Sequence, residues 1–311
     1  MSKHKKKKIR IKDPKRLLIL LTIIIIIVIA IASKNSNIKK KENLSLIINN
    51  EDITSKLENE ILIKDEVVYL EYNDIKKCID SNIYQEDEKI ITSSNKKVAA
   101  LELEKNAIEI NGSAVQIKGQ AFKTEEGKIY LPVSELSNVY DVEFLYVPEY
   151  KNIVIDSYSN RLEKADLKKT LLLKEEASKS SANLEKVEKG SSVVYISEQK
   201  SWAKVRTQNG NIGYLKKNKL TNFVVVREDM QETEQVSSDV SYYEKDITKK
   251  NIEKYENRKK VIEEILEEAV NKKKQTVKII FKNNKDTESF KRFKLEATAF
   301  LKECGISTIF E

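Results

Sequence analysis

The stretch SWAKVRTQNGNIGYLKKNKL, at residues 201–220, indicates a particular fold more clearly than any other part of the sequence. Ser201 to Arg206 has the aromatic and β-branched composition of a short strand, and Asn209-Gly210 is a dipeptide that favours a tight hairpin turn. The segment that follows, Ile212-Gly213-Tyr214-Leu215, reads as the returning strand. The stretch therefore predicts a β-hairpin at the centre of a small β domain.

With the segments on either side of the hairpin included, the predicted β domain spans residues 165–227. Lys189-Gly190 predicts a turn and Ser192 to Ser197 a further strand. The order KG, VVYIS, SWAKVRT, NG, GYL resembles the bacterial SH3-type barrel, although its opening element is degenerate here (Leu172 to Glu175). The resemblance implies binding to the peptide stems or sugars of the cell wall.

Three aromatic residues of this domain are candidate ligand-binding residues: Tyr195, Trp202 and Tyr214. A lone tryptophan on a short strand is more often a core residue, which is the competing interpretation of Trp202. The alternation in VVYIS and IGYLK does not decide which sheet face Tyr195 and Tyr214 occupy.

Residues 44–160 predict a duplicated αβ domain, because short β-branched segments recur at offsets of 61 to 63 residues. The segments INGSAVQI, KIYLPVSEL and VEFLYVPEYKNIVI, within residues 110–155, resemble the copper amine oxidase N-terminal-like, or stalk, domain of exported Gram-positive proteins. The resemblance implies a spacer or wall-associated module. Copper chemistry is excluded because the region contains no histidine.

The N-terminus predicts a membrane anchor. Residues 1–16 hold nine basic side chains and one acid, residues 17–33 are almost wholly apolar, and residues 34–43 form a polar tether. The positive-inside rule then predicts a single-pass protein of the cell membrane, its N-terminus cytoplasmic and its bulk extracytoplasmic. Cleavage as a signal peptide after Ala32 is the alternative.

Composition excludes several classes of function. The chain carries +8, yet residues 1–16 account for all of it, so the positive surface of a nucleic-acid-binding domain is not expected. The one histidine is His4, and the two cysteines, Cys78 and Cys304, are 226 positions apart. We therefore expect no metal site, no cofactor and no disulfide framework.

Residues 228–254 predict a linker, and residues 255–311 predict two helices alternating with two strands. This last segment resembles one βαβ stretch of family 18 glycoside hydrolases. Aligning TVKIIFK with the family's catalytic strand puts Ile280 and Lys282 at two lost catalytic positions, those of the assisting aspartate and the acid. Lysine is a poor substitute for a carboxylic acid. The neighbouring Asp286, Glu288 and Glu296 are interpreted as solvated helix charges.

The predicted fold class is an α+β multidomain protein: a transmembrane helix, a duplicated stalk domain, an SH3-like β-barrel and an α/β fragment of a TIM-barrel type. The predicted function is a non-catalytic, membrane-anchored protein associating with cell-wall peptidoglycan. The enzyme alternative is a family 18-like glycosidase of cell wall or spore cortex, active only if its barrel is completed elsewhere. A third alternative is an interaction or sensor protein whose basic tail contacts cytoplasmic partners or anionic lipid.

Overall fold

The computed structural model describes residues 38–94, 96–228, 242–282 and 287–311, which fall into two units. One is called the β unit here and comprises residues 38–41 and 164–223. The other, the composite unit, comprises residues 42–163 together with the described residues from 224 onwards. The β unit is therefore inserted, in sequence, between two parts of the composite unit.

The first part of the composite unit contains thirteen strands that lie wholly within its described residues, and two short helices. They are β1 (Ser45–Ile48), β2 (Glu51–Asp52), β3 (Leu62–Lys64), β4 (Val67–Glu71), α1 (Tyr72–Cys78), β5 (Tyr84–Glu86), β6 (Lys89–Ser93), β7 (Val98–Glu102), β8 (Ala107–Ile110), β9 (Ser113–Gln116), β10 (Phe122–Lys123), β11 (Ile129–Pro132), α2 (Val133–Leu136), β12 (Val142–Val147) and β13 (Asn152–Ser157). They form three sheets, with strand orders β12-β13-β1-β2, β10-β11-β4-β3 and β5-β6-β7-β8-β9.

Two local features accompany the repeat of 61 to 63 residues. The turn Asn49-Asn50 has φ of 49° and 68°, and the turn Asn111-Gly112 has 47° and 81°, so both hairpins use left-handed residues that Asn and Gly tolerate best. Strands β4 and β11 pair antiparallel with Leu70 opposite Leu131, which are the two residues that the sequence repeat equates.

The C-terminal part of the composite unit alternates strands and helices: β21 (Tyr243–Thr248), α3 (Tyr255–Asn271), β22 (Thr276–Lys282), α4 (Glu288–Glu303) and β23 (Ser307–Phe310). The strands are parallel in the order β21-β22-β23. The Thr287 hydroxyl caps α4 by accepting from the Phe290 amide at 3.4 Å. Because both crossovers advance in the same direction, both helices lie on one face of the sheet.

The central strands β6 and β7 of the five-stranded sheet β5–β9 are buried on both faces, which joins the two parts of the composite unit. Ile90, Ala99 and Leu101 face the core of residues 46–155. On the opposite face, Ile91 and Val98 pack against Tyr255, Ala299 and Phe300 of α3 and α4. A strand whose two faces are both covered has a run of consecutive apolar residues, because neither face is solvated. The segment VAAL at residues 98–101 is such a run.

The β unit is one sheet of seven strands, two of which continue into the composite unit, and β15 to β19 pair antiparallel where they are neighbours. They are β14 (Leu162–Leu167), β15 (Leu171–Lys174), β16 (Asn183–Val187), β17 (Ser192–Gln199), β18 (Trp202–Arg206), β19 (Ile212–Lys216) and β20 (Leu220–Arg227). Their order is β16-β15-β19-β18-β17-β14-β20, so the entering strand β14 and the leaving strand β20 are hydrogen-bonded neighbours.

The predicted fold class is wrong in its balance of strand and helix and in the architecture of its C-terminal domain. The structure is mostly β-sheet, 44% strand against 22% helix. Residues 255–311 are not a fragment of a TIM barrel. They join β21, from within the predicted linker, in an open three-stranded sheet whose helices pack on β5–β9. The linker prediction failed because Ile247, 1% exposed, supplies a single apolar contact in an otherwise polar strand.

The predicted transmembrane helix and single-pass localisation are also corrected. No helix among the described residues is long and apolar enough to cross a membrane. The predicted span at residues 17–33 and the basic tail at residues 1–16 lie outside the described residues.

Candidate ligand-binding groove

The turn of the β18–β19 hairpin is hydrogen-bonded to a buried carboxylate. Glu185 of β16 is 4% exposed. Its oxygens accept from the Thr207 hydroxyl at 2.6 Å, the Asn209 amide at 2.6 Å and the Asn211 amide at 3.0 Å. Three donors satisfy a charge that burial would otherwise penalise. The turn TQNGN is thereby fixed relative to β16.

Pairing between β18 and β19 sorts their side chains onto two faces. Ala203 lies opposite Leu215, and both belong to the core of the β unit. Because side chains alternate along a strand, the residues between them point to the other face. Trp202 lies opposite Lys216, and Lys204 lies opposite Tyr214. The structure thus brings Trp202 and Tyr214 to one outer face.

The candidate groove lies on this side of the sheet and has a volume of about 420 Å³. Trp202 lines it, with the Lys216 ammonium over its ring at 3.9 Å from the centroid. The other lining residues come from β15, β16, β19 and the segments just before and after β15: Thr170, Leu171, Leu172, Lys174, Lys179, Lys186 and Leu215. Trp202 is only 9% exposed, so it forms the floor of the groove.

Tyr195 lies apart from the other two aromatic candidates. It pairs with Val205, a core residue, and packs against the core itself. Its ring meets Phe223 edge-on at 5.3 Å between centroids. Tyr195 and Trp202 therefore occupy opposite faces of the sheet. Of the three aromatic candidates, Trp202 lines the groove, and Tyr214 lies on the same face without lining it. The groove lysines were missed at the sequence level, because the register Trp202 to Lys216 is needed to find them.

The positions aligned with the glycosidase motif lie on the side of β22 that faces away from α3 and α4. Val277, Ile279 and Phe281 fill the core, so Lys278, Ile280 and Lys282 point to the opposite face. Lys282 forms an ion pair with Asp246 of β21, with side chains 59% and 50% exposed. A solvated ion pair on an open sheet provides no desolvated acid.

The interpretation of Glu296 as a solvated helix charge is wrong. It is 1% exposed and accepts from Arg258 Nε at 3.0 Å and 3.2 Å. Arg258 is fully buried, and its remaining N–H groups meet the carbonyls of Ile252 and Glu253, the Tyr84 hydroxyl and Glu86. All five guanidinium donors are therefore satisfied. Glu288, by contrast, is exposed, and Asp286 lies outside the described residues.

This polar cluster lies where α3 and α4 meet β5. Burial raises the pKa of the Glu296 carboxyl, against the opposing effect of the Arg258 charge. Burial likewise raises the pKa of Tyr84, and the Glu296 charge raises it further. The groups are mutually satisfied and border only a cavity of about 20 Å³. We interpret the cluster as a structural lock between the two parts of the composite unit.

Other candidate chemistry is sparse in the part of the chain that the structure describes. No group of three or more His, Cys, Asp or Glu side chains there is arranged to hold a metal ion. Cys78 is half-buried and Cys304 exposed, and burial raises the pKa of both thiols. A higher thiol pKa means less thiolate at neutral pH, which makes a cysteine a weaker nucleophile.

Residues 164–223 form a small β domain with a groove on one face. Comparison with known families agrees: the family model of the bacterial SH3 domain matches residues 169–220. Residues 169–220 are therefore a bacterial SH3 domain, which is consistent with cell-wall binding in general. No curated protein and no solved structure matches the chain. These comparisons do not confirm the stalk-domain and glycoside hydrolase resemblances.

Proposed function

We propose that this chain is a non-catalytic protein that associates with cell-wall peptidoglycan through its SH3 domain. The observation that carries the proposal is the groove floored by Trp202 on the outer face of a bacterial SH3 fold. Concave sites with an aromatic floor and a few polar groups are typical of ligand recognition. Tyr214, half-buried on the same face, adds a second ring.

A non-catalytic role is supported by the composite unit. The position aligned with the catalytic acid of the glycosidases is Lys282, which forms a solvent-exposed ion pair with Asp246. The buried carboxylate of Glu296 forms an ion pair with Arg258. In this proposal residues 42–163 and 242–311 act as a spacer that carries the SH3 domain. Spacer function requires a stable fold, and the doubly covered sheet β5–β9 supplies one.

The full chain is expected to sediment with insoluble peptidoglycan, and a variant lacking the β unit is expected to stay in the supernatant. The deletion removes residues 164–223 and joins the ends by a short Gly-Ser linker. Such a linker suffices because β14 and β20 are adjacent strands. The measured quantity is the bound fraction after washing. Equal retention of the deletion variant would refute the proposal.

Tyr214→Ala is expected to weaken retention on peptidoglycan about five-fold, the equivalent of about 1 kcal/mol for one aromatic contact. The matched control is Tyr158→Ala, which removes an exposed tyrosine of the composite unit that is 44% exposed. Binding isotherms on a fixed mass of peptidoglycan measure both variants. If Tyr158→Ala weakens binding as much as Tyr214→Ala, the outer face of the SH3 domain is not the binding surface.

A further inference from the structure

The positive charge of the chain after position 16 is concentrated in residues 164–223, which form most of the β unit. Residues 164–223 contain 13 Lys and Arg against 6 Asp and Glu, a net charge of +7. The remaining residues after position 16 contain 35 basic and 42 acidic side chains, a net charge of −7. Such an asymmetry raises the local concentration of anions at one unit and lowers it at the other.

Five of the six acidic side chains in residues 164–223 have hydrogen-bond or ion-pair partners, and Glu175 pairs with Lys39. Glu185 is buried beneath the hairpin, Asp166 accepts from Ser192 and Asn222, and Glu198 pairs with Lys217. The residues that line the groove include four lysines and no acid. One of them, Lys186, pairs at the surface with Glu188 at 2.7 Å. The groove therefore keeps most of its positive charge uncompensated.

Two of the groove lysines are positioned by neutral partners. The Lys216 ammonium donates to the Ser201 hydroxyl at 2.9 Å while it lies over the Trp202 ring. The Lys174 ammonium donates to the Ser181 carbonyl at 2.9 Å. An ammonium group has three N–H donors, and neither lysine has an ion-pair partner among the described residues. Each is oriented before a ligand arrives and retains donors for it.

We propose that the groove binds an anionic group of the cell wall, a carboxylate or a phosphate, between Lys174 and Lys216 above Trp202. The inference rests on the proposed wall-binding function and adds the chemistry of the ligand. Lysine acts as a compact point charge that suits either oxyanion. Lys179 and Lys186, at the same groove, can contact further charges of a repeating acidic polymer.

The chain provides its own reporter, because Trp202 is its one tryptophan. An anion that draws the Lys216 ammonium from the indole ring changes the environment of that ring, so its fluorescence emission should change. We would titrate the full chain with inorganic tripolyphosphate and, separately, with triglutamate. The change should saturate with one or both anions, and the affinity should fall as salt is raised.

The decisive variant is Lys174→Gln/Lys216→Gln, with Lys189→Gln/Lys200→Gln as control. Both double variants remove two positive charges from the β unit, but the control lysines do not line the groove. The groove variant should bind the anions about tenfold more weakly. Isothermal titration calorimetry measures this affinity in both double variants, because Lys216→Gln removes the ammonium group on which the fluorescence change depends. The control should remain within about two-fold of the unmodified chain. Equal losses would show only a general charge effect and would overturn the proposed site.

Two chemical treatments of the cell-wall preparation distinguish a phosphate ligand from a carboxylate ligand. Hydrofluoric acid removes phosphodiester-linked polymers, and carbodiimide coupling to an amine neutralises carboxylates. Binding lost after the first treatment identifies phosphate, and binding lost after the second identifies carboxylate. Binding of the unmodified chain that survives both, with no response to either soluble anion, overturns the inference while the proposed wall function stands. A chain that responds to the anions through the groove lysines but ignores untreated walls refutes the wall function and keeps the anion site.

Discussion

Arg258→Ala is expected to lower the free energy of unfolding of the composite unit by about 3–5 kcal/mol, the cost of breaking a buried ion pair by removing one partner. The substitution leaves the Glu296 carboxylate, 1% exposed, without its counter-charge and frees the Tyr84 hydroxyl from one donor. Urea denaturation followed by circular dichroism measures the loss.

Two comparisons keep this expectation specific. Lys56→Ala breaks an ion pair with Glu51 whose side chains are 53% and 65% exposed, so it should cost well under 1 kcal/mol. Arg258→Met/Glu296→Met removes both charges and should recover much of the stability lost by Arg258→Ala. A cost below about 1 kcal/mol for Arg258→Ala would show that the buried cluster does not lock the composite unit.

The pH dependence of the Arg258→Ala defect follows from the direction of the Glu296 pKa. Burial raises that pKa above its ordinary value of 4.5, and removal of the guanidinium raises it further. A carboxyl whose pKa is raised by folding stabilises the fold below its unfolded pKa and loses that contribution as pH rises through the folded pKa. The defect should therefore be smaller at pH 4.5 than at pH 8.

Gly213→Ala is expected to destabilise the β unit by about 1–3 kcal/mol or more and to abolish retention on peptidoglycan at physiological temperature. A Cβ at this position would lie 2.5 Å from the Lys174 carbonyl oxygen and 2.8 Å from Leu173 Cγ. The carbonyl cannot move aside freely, because Lys174 is paired with Tyr214. Thermal unfolding followed by Trp202 fluorescence reports on this unit.

The matched control for this prediction is Gly190→Ala in the same unit. A Cβ on Gly190 meets no atom within 4 Å, but its φ of +81° disfavours any L side chain. Its replacement should therefore cost roughly 1–2 kcal/mol of backbone strain without a clash. Were Gly213→Ala no more damaging than Gly190→Ala, close approach of β15 and β19 would not be what fixes the groove.

Short-range patterns in the sequence were sufficient to predict much of the SH3 domain. The Asn209-Gly210 turn and the GYL strand depend on neighbouring residues, and the family comparison confirmed the SH3 prediction at residues 169–220. Trp202 was found in the same way. The accompanying lysines were not, because Lys216 reaches Trp202 only through the strand pairing, and Lys174 only through the pairing of β15 with β19.

Contacts between distant segments could not be predicted from local patterns. Tyr84 and Glu296 are 212 positions apart, and a glutamate in a charged helix gives no local sign that it will be buried. One signal was available. VAAL at residues 98–101 is apolar on both strand faces, which a sheet with one solvated face would not tolerate. That run indicated that a further layer had to cover β7.

The two-sided burial of β5–β9 has a consequence for synthesis of the chain on the ribosome. Ile91 and Val98 emerge long before Tyr255 and Ala299, the residues that cover them. At roughly 5–20 residues per second, the 199 positions from residue 100 to Ala299 correspond to about 10–40 s. Throughout that interval the nascent sheet presents an apolar face to solvent and to other chains. The inserted SH3 domain lengthens this exposure, so the growing chain should depend on chaperones more strongly than its finished fold suggests.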